Sequence, residues 1–501
     1  MIRHSGSFLA VYLALVLLWA PLAFGGVVPW AAALLAGLCF GGLALAALAL
    51  ESPAALRPAL VPAAALAGFA LFGLLQSAPL PARLVAAVSP EHAALQRQAA
   101  ELGGPAPARL TLAASATRRA ALGWAAASAA FLAAAVAGQR RERRRWLAGA
   151  VLAGGLFQVF FGARDWFSRA TSLWGVDLHA SATRLRGTFV NPNHLAAYLE
   201  MALPVAFALG WWAARRARDE PRIERRILLA APPAVLWLTL FAGLSFTGSR
   251  AGLVAAMAGV TLQGWLAARV RRRWWLAPLG AAAALAGVAV VAALGWREGM
   301  GRLLATHATD VSLGSRLREY GVAVELWGRF PLTGAGLGAF RDAFPLVQPA
   351  DLEGALWHPH SDYLEVLVTT GLGGLALLGI GAWFLVRRLA AVLRVGARSE
   401  DRAAALAGLG VLASLAIHET MDFGLSMPGT AVTLAVLLGS VTAARTRSAQ
   451  LSRAGEDPAA VEPLDLHHVE PAPERRPHGK KRRRAGDGAH RKRPQRGAVD
   501  P

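Results

Sequence analysis

Residues 27–50 read VVPWAAALLAGLCFGGLALAALAL, without a single charged side chain. At ~1.5 Å per residue, a helix over that stretch exceeds the ~30 Å hydrocarbon core of a bilayer. Lipid offers no partner to a backbone N–H or C=O, so a segment this apolar closes its hydrogen bonds internally, as a helix. The same texture recurs at 8–24, 60–75, 120–137, 146–162, 195–213, 227–246, 251–268, 276–296, 367–386, 403–417 and 427–443. With 55% hydrophobic residues, the chain is expected to be an all-α polytopic membrane protein of about 12 transmembrane helices. A soluble fold would have to bury nearly every helix on all its faces, which a chain of 501 residues does not readily do.

Arginine sets the orientation, because Lys and Arg in short loops stay on the cytoplasmic side. They crowd at 139–145, 214–226, 269–273 and 387–402, loops that alternate correctly with twelve spans. The termini are then cytoplasmic, and loops 79–119, 164–193 and 297–366 face outward. The last of these is long and is expected to carry short helices, since Leu317, Tyr320, Val324 and Leu326 follow Arg316 at helical spacing. The first span has no small-residue cleavage site and a second follows at once, so it is expected to be retained rather than cut as a signal.

The organisation is a membrane domain over 1–445 and a tail over 446–501, rich in Pro, Gly and charge and expected to be disordered. The net charge of +21 is topology signal plus this basic tail, suited to anionic lipid headgroups, and calls for no nucleic acid. One cysteine, Cys39, excludes an intrachain disulfide and a multi-cysteine metal site. There is no phosphate loop and no dinucleotide-binding glycine pattern.

Four segments carry the chemistry: RLRGTFVNPNHLA (184–196), TGSRAG (247–252), GSRLR (314–318) with RFPLTGAGLGAF (329–340), and HPHSDYL (358–364) with GLGG (371–374). Together, and in this order, they resemble the O-antigen ligase and polymerase family of membrane glycosyltransferases. The resemblance spans 184–374, with the first five helices matching only in being apolar. It implies transfer or polymerisation of glycan from an undecaprenyl-diphosphate-linked donor onto a sugar hydroxyl at the periplasmic face of the bacterial inner membrane. The acceptor it implies is a lipid A core sugar or the growing polysaccharide, with a protein hydroxyl disfavoured because no large extra outer domain follows the His motif, and with inversion and without metal or other cofactor. It also selects His360 over His358, favours Arg184 over Arg186, and brings in Arg316.

The physics of these residues agrees. A guanidinium stays charged and forks onto phosphate oxygens, suiting Arg184, Arg186, Arg250 and Arg316 to a diphosphate. Arg250 stands in a tight turn at the outer end of two spans, where the positive-inside rule disfavours it; the alternative is an interface anchor. Asn191 and Asn193 flank Pro192 and suit a helix start, with Asn193 as the expected cap. Imidazole titrates near neutral pH, making His360 the expected general base on the acceptor hydroxyl. Tyr363, Ser361, Glu419 and Asp422 are expected to orient it and its arginines. A metal held by His358, His360, Asp351 and Glu353 is the weaker alternative. A transporter or flippase for an anionic solute or lipid-linked sugar is the second class, disfavoured because the polar residues gather at one side rather than at the midplane.

Overall fold

The computed structural model describes residues 2–104, 107–178, 184–270, 311–350, 354, 356–395 and 398–445. The expected span at 276–296, the tail at 446–501, Asp351 and Glu353 lie outside the described residues.

The helices are α1 Ile2–Leu22, α2 Pro29–Ala49, α3 Arg57–Ser77, α4 Ala82–Val88, α5 Pro90–Glu101, α6 Ala114–Ala137, α7 Arg141–Phe167, α8 Pro192–Asp219, α9 Ile223–Phe246, α10 Arg250–Val270, α11 Val311–Arg329, α12 Phe340–Ala343, α13 Asp362–Val395, α14 Ser399–His418 and α15 Pro428–Thr442. Among the described residues ten helices are long and apolar enough to cross a membrane. The segment expected as the last span is shorter, the 15-residue α15. The strands β1 Ser172–Leu173 and β2 Val176–Asp177, two residues each, pair antiparallel as a short hairpin. Loop 79–119 folds α4 and α5. The helix expected from Arg316 onward is α11, with Val322, Ala323 and Leu326 buried.

Helices packed within lipid gain no hydrophobic drive from one another, so close approach of small residues holds them. The inner helix α6 shows this. Ala126, Ala127, Ala129, Ala130, Ala133, Ala134, Ala135 and Ala137 are all buried, and α2, α3 and α15 pack around them. A Cβ on Gly439 of α15 would strike the Phe131 backbone.

Two ends of the bundle are distinguishable. At one, Arg144 of α7 pairs with Asp401 of α14 at 2.5 Å, and Glu51 pairs with Arg140 and Arg143, each at 2.8 Å. At the other, α14 finishes at His418 and α8, α10 and α13 all begin.

One break positions that second end. Gly371 adopts φ 62° and ψ −163° inside α13, a conformation that is essentially glycine's alone. The kink frees the Val368 and Thr369 carbonyls, which accept from the Ala335 and Gly336 amides at 2.8 and 3.0 Å. In exchange, the Leu372 and Gly373 amides donate to Pro331 and Leu332 at 3.0 and 3.2 Å. Gln76 at the end of α3 completes the joint. Its Nε2 donates to Thr333 and Thr369 at 2.7 and 3.0 Å, and its Oε1 accepts from Leu337 at 3.0 Å. These carbonyls and amides, opened by the break, thus find partners away from the helix. The PLTGAGLG stretch and the GLGG stretch are two halves of one clamp, which fixes the start of α13 just beyond His360.

Candidate functional site

His360 is the last residue but one before α13 and has φ 50°. Left-handed backbone at a residue other than glycine costs of order 1 kcal/mol and gathers where the surrounding structure dictates position. Here Tyr320 of α11 dictates it, donating its hydroxyl to the His360 carbonyl at 3.2 Å and to Thr420 at 2.7 Å. Ser361 donates to the Glu419 carbonyl at 3.1 Å, and the Asp362 amide donates to the carbonyls of Glu419 and Asp422, both at 3.1 Å. The His360 ring meets Phe423 edge-on with centroids 5.2 Å apart, and its Nδ1 is buried without a hydrogen-bond partner.

Phe423 gathers three imidazoles. His358 stacks on it at 4.3 Å, and His194, from the first turn of α8, meets it edge-on at 5.0 Å. His358 is committed elsewhere, since its Nδ1 lies 2.7 Å from Glu365. Burial works against its charge, but Glu365 outweighs burial and raises its pKa. His360 shifts oppositely: burial lowers its pKa, Asp422 opposes that, and the Arg316 guanidinium adds to the lowering. His360 is therefore a neutral imidazole at neutral pH, the form that accepts a proton.

Behind the rings lies an acidic layer. Asp422 is fully buried, its Oδ1 accepting from the Phe423 amide at 2.9 Å and its Oδ2 3.8 Å from His418 Nε2. Burial opposes its charge, yet His418 and that amide hold its carboxyl below the usual range. His418 Nδ1 in turn lies 2.7 Å from Glu200, and both are fully buried. Glu419 accepts from the Gly424 amide at 2.8 Å; burial, then the neighbouring Asp362 carboxyl, push its pKa well above the usual range. Asp362 accepts from Ser426 at 2.7 Å and from the Leu425 amide at 2.8 Å.

The arginines divide. Arg316 and Asp422 both act on His360. Arg184 sits at the adjoining corner, donating to the Thr247 carbonyl at 2.6 Å and to Asn193 Oδ1 at 2.8 Å. It thereby ties the TGSR turn to the start of α8. Asn191, not Asn193, caps α8: its side chain accepts from the Asn193 amide at 2.9 Å, with Pro192 as the first helical residue. Asn193 is instead taken by Arg184. Arg250 is the first residue of α10, whose opening Ser249 caps by accepting from the Gly252 amide at 3.2 Å. A cation there opposes the helix dipole, so helix stability does not explain it. Arg186 is buried, turned to the Ala170 carbonyl at 3.1 Å and toward Asp165, and is not brought to the imidazoles. Tyr363 donates to the Ala416 carbonyl at 3.0 Å, bracing α13 against α14.

Sequence reasoning passed over Glu200, His418 and Phe423. Glu200 carried a usable signal, as an ionisable residue inside an apolar span is a functional candidate by default. Among the described residues no group of three or more His, Cys, Asp or Glu is arranged to hold a metal ion.

The arrangement supplies cations for an anionic leaving group and a neutral imidazole for a hydroxyl proton, at one end of a helical bundle. None of the curated proteins compared matches the chain. A family model does: residues 234–379, which hold Arg250, Arg316 and His360, match the O-antigen ligase family.

Proposed function

We propose that the protein transfers glycan from an undecaprenyl-diphosphate-linked donor to an acceptor sugar hydroxyl at the periplasmic face of the bacterial inner membrane. The acceptor hydroxyl gives its proton to His360 as its oxygen bonds to the anomeric carbon of the donor. The bond from that carbon to the phosphate oxygen breaks, its electron pair leaving with the lipid diphosphate. Arg316 and Arg250, with Arg184 at the neighbouring corner, neutralise the charge that accumulates there. In-line attack inverts the anomeric centre. The orientation rests on the arginine-rich loops: Arg144 and Asp401 join two of them at one end of the bundle, the cytoplasmic end by the charge rule, with the termini on that side.

The observation that carries the proposal is His360, held at φ 50° with Nδ1 unpartnered and under the charge of Arg316, within the matched ligase segment. Purified chain in lipid nanodiscs, given a lipid-linked oligosaccharide and a lipid A core acceptor, is expected to form a new glycosidic bond and release lipid diphosphate, with chelator making no difference. Repeat-unit ladders without core linkage would assign it to polymerisation instead. Vesicle flux of the lipid-linked sugar with no bond formed would replace the proposal with transport.

A further inference from the structure

The loop that delivers His360 holds a second aromatic residue the chemistry above does not use. Leu356 packs onto the buried cluster of Phe330, Phe340 and Phe344. His358 stacks on Phe423. Trp357, between these two anchors, turns the other way and is 59% exposed. Its ring is not loose, for the Arg341 guanidinium lies over it, 3.6 Å from the centroid. Arg341 is carried on α12, where its neighbour Phe340 is buried.

An indole left outward beside two anchored neighbours forgoes stabilising burial of a large side chain. A flat ring with one face pinned by a planar cation is a stacking platform. Pyranose rings present C–H bonds on one face, which such a platform takes, and ring hydroxyls at their rim, which a guanidinium reaches. Trp357 is three residues from His360, so at most ~11 Å of extended chain separates them. That is the scale of a sugar unit or two from the reacting carbon.

We propose that Trp357 with Arg341 forms a saccharide subsite, binding a pyranose that flanks the one at the bond being made. The inference rests on the glycosyl-transfer reading for the identity of its ligand. The competing role for an exposed tryptophan, anchoring at the lipid headgroups, predicts different behaviour.

The test separates binding from transfer. Oligosaccharide released from the lipid-linked donor is titrated against full-length protein in nanodiscs by saturation-transfer NMR, in the wild type and in His360→Ala, Trp357→Phe, Trp357→Ala and Arg341→Gln. Binding is expected to be unchanged in His360→Ala, within about threefold in Trp357→Phe, and weakened about tenfold in Trp357→Ala, with Arg341→Gln between. In transfer assays, Trp357→Ala is expected to raise KM about tenfold for whichever substrate supplies the flanking sugar, leaving kcat within about twofold. A raised donor KM places that sugar on the donor, and a raised acceptor KM on the acceptor. Absence of binding to the wild type, or equal binding by Trp357→Ala, overturns the subsite. So does a Trp357→Ala protein whose only change is weaker retention in lipid, which makes the residue an anchor. Binding that depends on Trp357 in a protein that transfers nothing would sink the transferase reading and leave the subsite standing.

Discussion

The two ends of the bundle bury charge by different rules. At the arginine end acids meet guanidinia: Asp401 meets Arg144 at 2.5 Å, and Glu51 meets Arg140 and Arg143 at 2.8 Å. Around Phe423 at the histidine end, acids meet imidazoles or one another: Glu200 and Asp422 share His418, and Glu419 faces Asp362. A guanidinium does not release its proton and an imidazole does. The first end holds helices together, and the second gathers groups that can exchange protons.

Substitutions that interchange these roles break the comparison. The largest effect is expected from Arg144→Met, which strands Asp401 in the interior and should cost roughly 3–5 kcal/mol. A thermal midpoint in detergent reads this, and Arg144→Met with Asp401→Leu should recover most of the loss; no recovery would mean the pair does more than cancel charge. Next is Arg250→Gln, expected to slow transfer about 10²- to 10³-fold with the midpoint kept. An Arg250→Gln protein as active as wild type would return Arg250 to the role of interface anchor.

The pH dependence follows from the lowered pKa of His360. As a base it works when neutral, so kcat/KM should hold steady from neutral pH down past the ordinary histidine value of about 6.5 and then fall about tenfold per unit. Arg316→Gln removes a cation that disfavours the imidazolium, so the acid limb should move to higher pH as overall turnover drops; a limb that stays put would uncouple the two residues. The smallest effect is expected at Glu419. Burial and the neighbouring Asp362 carboxyl favour its neutral form, so Glu419→Gln should alter turnover no more than about twofold. A large loss there would show that its charge matters.

How much of this was legible beforehand follows from the range of each interaction. Spans such as 27–50 are legible because the bilayer imposes one simple requirement on length and polarity. The helix from Arg316 was legible from its periodicity, but its face was not: Leu317 and Val324 are exposed, and Val322 and Ala323 are buried with Leu326. The division between Arg184 and Arg186 was not, because it depends on which of two nearby side chains faces Thr247 and which faces Ala170. Phe423 as the hub of three imidazoles was equally hidden. His194, His358 and Phe423 are far apart in sequence, and only the packing of α8, α13 and α14 makes them neighbours. The break at Gly371 and its partner segment at 331–336 emerge only from the backbone and its hydrogen bonds.

Proton acceptance by His360 is read out by single-turnover transfer in His360→Ala. With lipid-linked donor saturating and bound as tightly as by the wild type, the rate of glycosidic bond formation should fall about 10²- to 10⁴-fold. A His360→Ala protein that binds donor normally and transfers at the wild-type rate would contradict the account.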